Sequence, residues 1–298
     1  MPDTFGYAVP EEQALATLRA LFRSPITFID TAAAYGDGES ERRIGMALRE
    51  LGGLPPGYVL ATKADRDLAT RRFDADQVRR SVERSLRLLE LDRLQLVYFH
   101  DPEHAGLSVA EAMAPSGPVE ALLRLRDEGV IEHVGVAAGP IDMLIDYVET
   151  GAFEAVITHN RYTLLNRTAE PLIELAYRRG LAVVNAAPYG SGILAKGPDA
   201  YPRYAYQDAP PAIVERVRQM AALCQRYGVP LAAAALQFSL RDPRITSTIV
   251  GMTRPERIWQ TIELAQIPIP DDLWPQLDAL ALPDGDPEAG RWRRPLEA

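Results

Sequence analysis

Three short apolar runs in this chain each lead into a polar residue that can take part in proton transfer. The runs at 26–29, 58–62 and 96–99 lead into Asp30, Lys63 and His100, and Tyr35 follows Asp30 by five residues. Because the carboxyl ends of the strands of a parallel barrel meet on one face, these four side chains are expected in one pocket. Each has an ordinary structural explanation on its own, such as a helix cap for Asp30, but their order at three successive strand ends favours a shared site.

These four side chains suit the reduction of a carbonyl group by a nicotinamide cofactor. Tyr35 can give the proton that the carbonyl oxygen needs, and the Lys63 ammonium would stabilise the phenolate that remains. Asp30 would keep Lys63 charged and in place, and His100 would orient the substrate and donate a hydrogen bond to it. The same set works in reverse for the oxidation of an alcohol.

The chain around these residues alternates helical patterns with short apolar runs. The apolar runs predict strands at 26–30, 58–63, 94–99, 131–136, 154–158, 181–185 and 245–250. Helical periodicity predicts helices at 11–22, 39–51, 75–90, 118–128, 140–149, 168–179, 211–227, 230–240, 255–264 and 271–280. This alternation is typical of a parallel sheet with helical crossovers, so we expect a single α/β domain over 1–298, a (β/α)8 barrel, with a loose tail from about 284.

A closed barrel of this kind has eight strands, whereas the pattern gives seven and opens with a helix. Three explanations for the missing strand remain open: residues 1–9 form the first strand poorly, the native chain starts upstream of Met1, or the protein is a seven-stranded variant.

Composition excludes several classes of protein. The 298 residues are 47% hydrophobic and carry a formal net charge of -9, which disfavours nucleic acid and anionic membranes as partners. There is one cysteine, Cys224, and no apolar run of transmembrane length. The N-terminus lacks the pattern of a signal peptide. We therefore expect a cytoplasmic enzyme with a small-molecule substrate, as a monomer or a small homo-oligomer.

Three segments resemble the aldo-keto reductase family: FIDTAAAYGDGESERRIGMAL, LATK and LQLVYFHDPE. The resemblance continues through HVGVAAG, NRYTLLNR, NAAPYGSGILAKG and IVGMTRPERI, and so covers nearly the whole chain. It implies the (β/α)8 barrel, NADP or NAD as cofactor, and the roles given above for Asp30, Tyr35, Lys63 and His100. HDPEH and RYTLLNR are most similar to the aldose 1-dehydrogenase branch (D-threo-aldose, L-fucose and L-galactose types), whose members oxidise the anomeric carbon of a sugar to a lactone. The family's first strand carries Leu-Gly-x-Gly, and nothing like it precedes Phe5.

The resemblance also implies where the cofactor binds. Family members hold an extended nicotinamide dinucleotide without a G-x-G-x-x-G turn, and this chain has no such turn. The implied contacts on the pyrophosphate and adenosine sides are Pro188, Tyr189, Gly190, Gly192, Leu194, Gly251, Thr253, Arg254 and Arg257. Strictly NADP-dependent members have lysine and serine where this chain has Gly251 and Met252, so use of both cofactors is expected.

Many family members hold the carboxamide of the nicotinamide with a Ser-Asn pair. Ala137 and Ala138 stand at that place here. This leaves His159 or Asn160 for the carboxamide, with Asn160 preferred. Arg161 and Tyr162 are predicted at the mouth of the substrate pocket.

Three other functions are compatible with parts of the sequence to different degrees. A general NADPH-dependent aldehyde or ketone reductase would use the same residues. A metal-dependent barrel hydrolase built on the HDPEH segment is disfavoured because the chain has only four histidines. A regulatory protein that binds the cofactor without turnover would keep the fold, since fold alone does not fix function.

Overall fold

The computed structural model describes residues 8–289. Residues 1–7 and 290–298 lie outside this range, and with them most of the doubtful first strand and the last part of the predicted tail. Among the described residues, the model has no helix that is long and apolar enough to cross a membrane.

Helices and strands alternate along the described chain. The α-helices are α1 (Glu11–Leu21), α2 (Glu39–Leu51), α3 (Ala75–Leu89), α4 (Pro102–Ala105), α5 (Val109–Ala112), α6 (Pro118–Asp127), α7 (Ile141–Glu149), α8 (Glu170–Arg178), α9 (Ile193–Lys196), α10 (Pro211–Arg226), α11 (Leu231–Leu240), α12 (Pro255–Gln266) and α13 (Leu273–Asp278). The strands are β1 (Phe28–Asp30), β2 (Val59–Ala64), β3 (Leu94–His100), β4 (Ile131–Ala137), β5 (Ala155–His159), β6 (Ala182–Ala186), β7 (Arg203–Tyr204), β8 (Gln207–Asp208) and β9 (Ser247–Ile249).

Seven of these strands form one parallel sheet, in the order β1-β2-β3-β4-β5-β6-β9, and β7 and β8 form a separate two-stranded hairpin. All seven strands predicted from the sequence are present, each within two residues of its predicted bounds. The short helices α4, α5 and α9 and the hairpin were not predicted. Elements of two to four residues are too short for a periodic apolar pattern to reveal them.

The chain divides into two compact units. The first runs to Ala138 and adds Asp142–Val156 and Met252–Trp259; the second comprises Gly139–Ile141, Ile157–Gly251 and the chain from Gln260 onward. The expectation of a single domain stays a prediction.

In the first unit, β1 to β4 are parallel neighbours whose cores are almost wholly buried. The helix α3 shows why the sequence folds as it does. Asp74 caps its first turn by accepting the Gln77 N–H, and its apolar face buries Val78, Val82 and Leu89. A Cβ added at Gly45 of α2 would lie 2.1 Å from the Leu88 carbonyl oxygen, so glycine is what lets α2 approach α3 this closely.

In the second unit, β6 and β9 are paired in parallel, with Ala186 opposite Ile249. The helices α10 and α11 bury one cysteine, Cys224, among apolar side chains. Burial raises the pKa of its thiol to about 11, which makes Cys224 an unreactive core residue.

Candidate active site

Three strands of the first unit carry the acid, the lysine and the histidine to one end of the sheet. Asp30 is the last residue of β1, Lys63 is the last but one of β2, and His100 is the last of β3. The register pairs Asp30 with Ala61, and Lys63 with Tyr98, so the strands are aligned without a slip. Parallel alignment therefore places side chains from three distant parts of the sequence at neighbouring positions.

The Lys63 ammonium is held by two oxygens. Its Nζ donates to Asp30 Oδ2 at 2.5 Å and to the Thr31 carbonyl oxygen at 2.6 Å. Both side chains are buried, with 3% of Lys63 and 6% of Asp30 exposed. Burial raises the pKa of the Asp30 carboxyl, and the neighbouring Lys63 ammonium opposes that effect. Such a buried pair is fixed in position, because separating its members would leave a charge without a partner.

Tyr35 lies close to both Lys63 and His100. Lys63 Nζ is 4.8 Å from the centre of the Tyr35 ring, and the rings of Tyr35 and His100 meet edge to face with their centres 6.2 Å apart. The loop that presents Tyr35 is closed by a hydrogen bond from its N–H to the Ala32 carbonyl oxygen at 3.1 Å. The structure thus brings together Asp30, Tyr35, Lys63 and His100, with a fixed ammonium and an imidazole both near one phenol ring.

A fifth side chain, Asp65, belongs to this cluster and was missed from the sequence. It is 3% exposed, its Oδ1 lies 2.6 Å from His100 Nδ1, and its Oδ2 accepts the Ala34 N–H at 2.8 Å. The signal that could have found it is its spacing, because residues two apart at the end of a strand point to the same side, and Asp65 follows Lys63 by two.

A buried tyrosine, Tyr98, lies in β3 opposite Lys63 in the register. Burial, reinforced by the negative charge of Asp30, raises the pKa of its phenol well above the ordinary value. Its ring occupies the space beside Gly135, where an added Cβ would lie 2.4 Å from Tyr98 Cδ1. Glycine at 135 is therefore required by the close packing of Tyr98.

The adenosine-side residues of the first unit lie at the start of α12. Arg254 and Arg257 are exposed, and neither makes an ion pair with another described residue. The backbone here is anchored by Gln13, whose side-chain amide donates to the Thr253 carbonyl oxygen at 2.7 Å. Two free guanidinium groups beside the N-terminus of a twelve-residue helix form a set of donors suited to phosphate.

The pyrophosphate-side loop and Asn160 lie together in the second unit. In this loop, Gly190, Ser191 and Gly192 all have positive φ, at 54°, 63° and 115°. Ser191 joins the loop to Asn160, with its Oγ 3.5 Å from Asn160 Oδ1. Pro188 and Leu194 of the loop are buried and Tyr189 is half-buried, while a Cβ at Gly251 would meet no heavy atom within 4 Å.

A carboxylate from the C-terminal segment holds the residues that follow β5. Glu288 is 0% exposed, and its Oε1 lies 2.9 Å from Asn160 Nδ2, 3.2 Å from His159 Nε2 and 3.3 Å from Arg161 Nη1. Burial would raise the pKa of this carboxyl, but these three partners outweigh burial and lower it to about 2. No sequence pattern links Glu288 to residues 127 to 129 positions away.

Arg161 and Tyr162, predicted at the pocket mouth, are both buried in the second unit. Arg161 is 0% exposed and its Nη2 lies 2.7 Å from Asp286 Oδ1. Tyr162 is 4% exposed and donates its hydroxyl to Asp242 Oδ2 at 2.5 Å. In the described structure, both side chains are thus engaged by acidic residues of their own unit.

Known proteins identify the class to which this fold and cluster belong. The model of the Aldo/keto reductase family matches residues 3–282. The chain therefore belongs to the aldo/keto reductase family, and it is an NAD(P)-dependent oxidoreductase. A solved aldo-keto reductase from Bacillus halodurans, in its holo form, has the same fold, with a TM-score of 0.75, 20% sequence identity, and coverage of 92% of this chain and 89% of that one.

Three individual proteins show which kinds of dehydrogenase are similar to this chain. The chain is 32% identical to a D-threo-aldose 1-dehydrogenase of Pseudomonas sp, over 91% of this chain and 88% of that protein. It is 31% identical to a pyridoxal 4-dehydrogenase of Microbacterium luteolum, over 90% and 88%. It is 28% identical to an L-galactose dehydrogenase of Arabidopsis thaliana, over 94% and 88%. The similarity to aldose dehydrogenases expected from the sequence is confirmed.

Each unit by itself contains residues that suit one part of a nicotinamide dinucleotide. In the first unit, the start of α12 carries two exposed arginines that suit phosphate. In the second unit, Gly190 and Gly192 have the left-handed backbone that allows close approach, and an added Cβ would meet the rings of Tyr204 and Tyr201.

Proposed function

We propose that this protein transfers a hydride between NAD or NADP and the carbonyl or anomeric carbon of an aldose, or of a related small hydroxy-carbonyl compound. Tyr35 serves as the general acid and base. The observation that carries the proposal is the Lys63 ammonium, fixed 2.5 Å from Asp30 and 4.8 Å from the centre of the Tyr35 ring, with the His100 ring edge-on to that ring. We also propose that the chain acts as one domain, in the cytoplasm, as a monomer or small homo-oligomer.

The nicotinamide supplies or accepts the hydride when it is bound. During reduction, the Tyr35 hydroxyl gives its proton to the carbonyl oxygen as that oxygen becomes negative. Lys63 stabilises the phenolate that remains, because its fixed positive charge costs no reorganisation when the charge develops. Asp30 keeps the ammonium in place, and His100 donates a hydrogen bond to the same oxygen. During oxidation of a sugar, Tyr35 takes the proton of the anomeric hydroxyl, and the product is a lactone.

Cofactor binding is assigned to the residues implied by the family. Arg254 and Arg257, with the N–H groups at the start of α12, take the phosphate of the adenosine side, and Thr253 and Gly251 line the approach. The loop from Pro188 to Leu194 takes the pyrophosphate, and Asn160 takes the carboxamide. Arg161 and Tyr162 support the wall of the substrate pocket from behind, because their side chains are buried.

The aldose assignment is supported by the names of two relatives, which act on D-threo-aldose and L-galactose. A third relative acts on pyridoxal, another small hydroxy-carbonyl compound. A panel of D-threo-aldoses, L-galactose, pyridoxal and simple aldehydes should therefore be assayed in both directions, with NAD and NADP separately, by absorbance of the reduced nicotinamide. Fast reduction of simple aldehydes with NADPH, and no oxidation of any sugar, would favour the general reductase instead.

Tyr35→Phe tests the role of the phenol. We expect kcat to fall by about 10²–10⁴-fold, because proton transfer by a positioned side chain contributes that much. Cofactor affinity, measured by quenching of protein fluorescence, should stay within twofold of the parent. Tyr177→Phe is the matched control, because Tyr177 is 52% exposed on the surface of the second unit. Full activity of Tyr35→Phe would refute the acid–base role, and tight cofactor binding without turnover of any panel compound by the parent would favour the regulatory protein.

A further inference from the structure

Asp65 connects two of the residues proposed for catalysis. Its two carboxylate oxygens have different partners: Oδ1 lies 2.6 Å from His100 Nδ1, and Oδ2 accepts the N–H of Ala34 at 2.8 Å. Ala34 immediately precedes Tyr35 in the chain. The Asp65 backbone is itself fixed, because its N–H donates to Ser81 Oγ at 3.0 Å. One buried carboxylate therefore ties the His100 ring to the loop that presents Tyr35.

The contact at Nδ1 restricts what the other nitrogen of His100 can do. A carboxylate only accepts hydrogen bonds, so Nδ1 must carry the proton that it shares with Asp65. In a neutral imidazole the second nitrogen, Nε2, then has no proton and can only accept. A carbonyl oxygen is also an acceptor. His100 can therefore donate to a substrate carbonyl only when the ring carries both protons.

The charges around His100 favour that doubly protonated ring. Burial opposes it, but Asp101, with Oδ1 3.4 Å from Nε2, and Asp65 outweigh burial and raise the pKa of His100 above its ordinary value of 6.5. Lys63 acts in the opposite direction, and is itself balanced by Asp30. Asp30 also interacts electrostatically with His100 itself. Behind Asp101 lie His104, whose Nε2 is 3.7 Å from Asp101 Oδ2, and Glu103.

We propose that Asp65 is a positioning residue that fixes the Nδ1 proton of His100, so that His100 donates to the substrate from Nε2 as an imidazolium and does so at a set position relative to Tyr35. The proposal rests on the proposed function for its substrate, but not for the geometry of the pair. If Asp65 only stabilised the loop 31–35, that role would explain its hydrogen bond with Ala34. It would not explain its contact with His100.

Asp65→Asn separates these roles, because asparagine keeps an oxygen for Ala34 and removes the charge beside His100. In ¹H–¹⁵N spectra of the histidine side chains, we expect the pKa of His100 to fall by about 1–3 pH units, the usual effect of losing one close opposite charge. The signal is assigned with His100→Gln, since the chain has only four histidines. Because the asparagine NH2 then faces Nδ1, the neutral ring carries its proton on Nε2 and donates without being doubly protonated. In carbonyl reduction, the part of the pH profile of kcat that follows His100 should therefore disappear, with cofactor affinity unchanged.

Asp67→Asn is the matched control, because Asp67 lies on the same loop and accepts hydrogen bonds from Ala69 and Thr70 but not from a histidine. It should leave the His100 titration and kcat unchanged. An unchanged His100 titration in Asp65→Asn would overturn the proposal, as would a pH profile of kcat that still follows His100.

If Asp65→Asn does not fold, the proposal can still be tested on the parent protein alone. Its ¹⁵N shifts above the pKa of His100 should show the proton on Nδ1, and a proton on Nε2 would overturn the proposal. If the parent turns over no substrate, the proposed function fails, while the NMR measurements still decide the role of Asp65.

Discussion

Glu288→Gln is expected to lower the free energy of unfolding by about 3 kcal/mol. The carboxylate is wholly buried and accepts from Asn160, His159 and Arg161 at 2.9 to 3.3 Å. These partners lower its pKa from 4.5 to about 2. A tenfold change in a proton equilibrium corresponds to about 1.4 kcal/mol, so the ionised carboxylate contributes roughly 3 kcal/mol to the free energy of unfolding at neutral pH. Removal of one member of a buried ion pair costs a similar amount, about 3–5 kcal/mol.

The pH dependence of this contribution has a definite sign. The pKa is lower in the folded chain than in the unfolded chain, so the folded protein gains stability wherever Glu288 is ionised in both states. The contribution is complete above about pH 4.5 and is lost as the pH falls toward 2. The difference between the parent and Glu288→Gln should therefore shrink as the pH falls from about 4.5 toward 2.

The assay is urea unfolding followed by circular dichroism and fluorescence, at about pH 5 and about pH 3, on either side of the start of the expected loss. Asp284→Asn is the matched control, because Asp284 lies in the same C-terminal segment and is exposed. It should change the unfolding midpoint little, since surface substitutions are usually within about 0.5 kcal/mol. A loss in Glu288→Gln no larger than that of the control, or one that does not shrink between about pH 5 and about pH 3, would refute the reasoning.

Two further variants test other parts of the structure. Gly135→Ala would place a Cβ 2.4 Å from Tyr98 Cδ1, and overpacking of this kind should lower the free energy of unfolding by about 1–3 kcal/mol, measured with urea. Gly251→Ala should leave it unchanged, because nothing lies within 4 Å of the added atom. Arg254→Ala should weaken NADP more than NAD by about tenfold in fluorescence titrations, since a charge-assisted hydrogen bond to the extra phosphate is worth about 1.5–3 kcal/mol. Equal weakening of both cofactors would place Arg254 away from that phosphate.

The sequence alone predicted the order of the sheet strands and grouped four side chains that the structure brings together, Asp30, Tyr35, Lys63 and His100. Alternating apolar runs and helical periods are local properties, so each of the seven sheet strands was found within two residues. Asp30, Lys63 and His100 could be grouped because each stands at the end of a strand, and parallel strands align their ends. Side-chain chemistry suggested the proposed role of Tyr35 and a nicotinamide cofactor, and the resemblance to a known family implied both; periodicity supplies neither.

Only the tertiary structure decided which partners those residues have. In the sequence, Asp65 looks like any acidic residue of a loop. Its contacts with His100 and Ala34 depend on the positions of β1, β2 and β3 in space. Glu288 lies 128 residues from Asn160, and no local pattern encodes a hydrogen bond over that separation. Likewise, Arg161 and Tyr162 have polar tips typical of a pocket mouth, but the fold buries them against Asp286 and Asp242. Backbone preferences and the spacing of apolar residues can be read from neighbouring residues in the sequence. The pairing of buried charges depends on distances that exist only after the chain has folded.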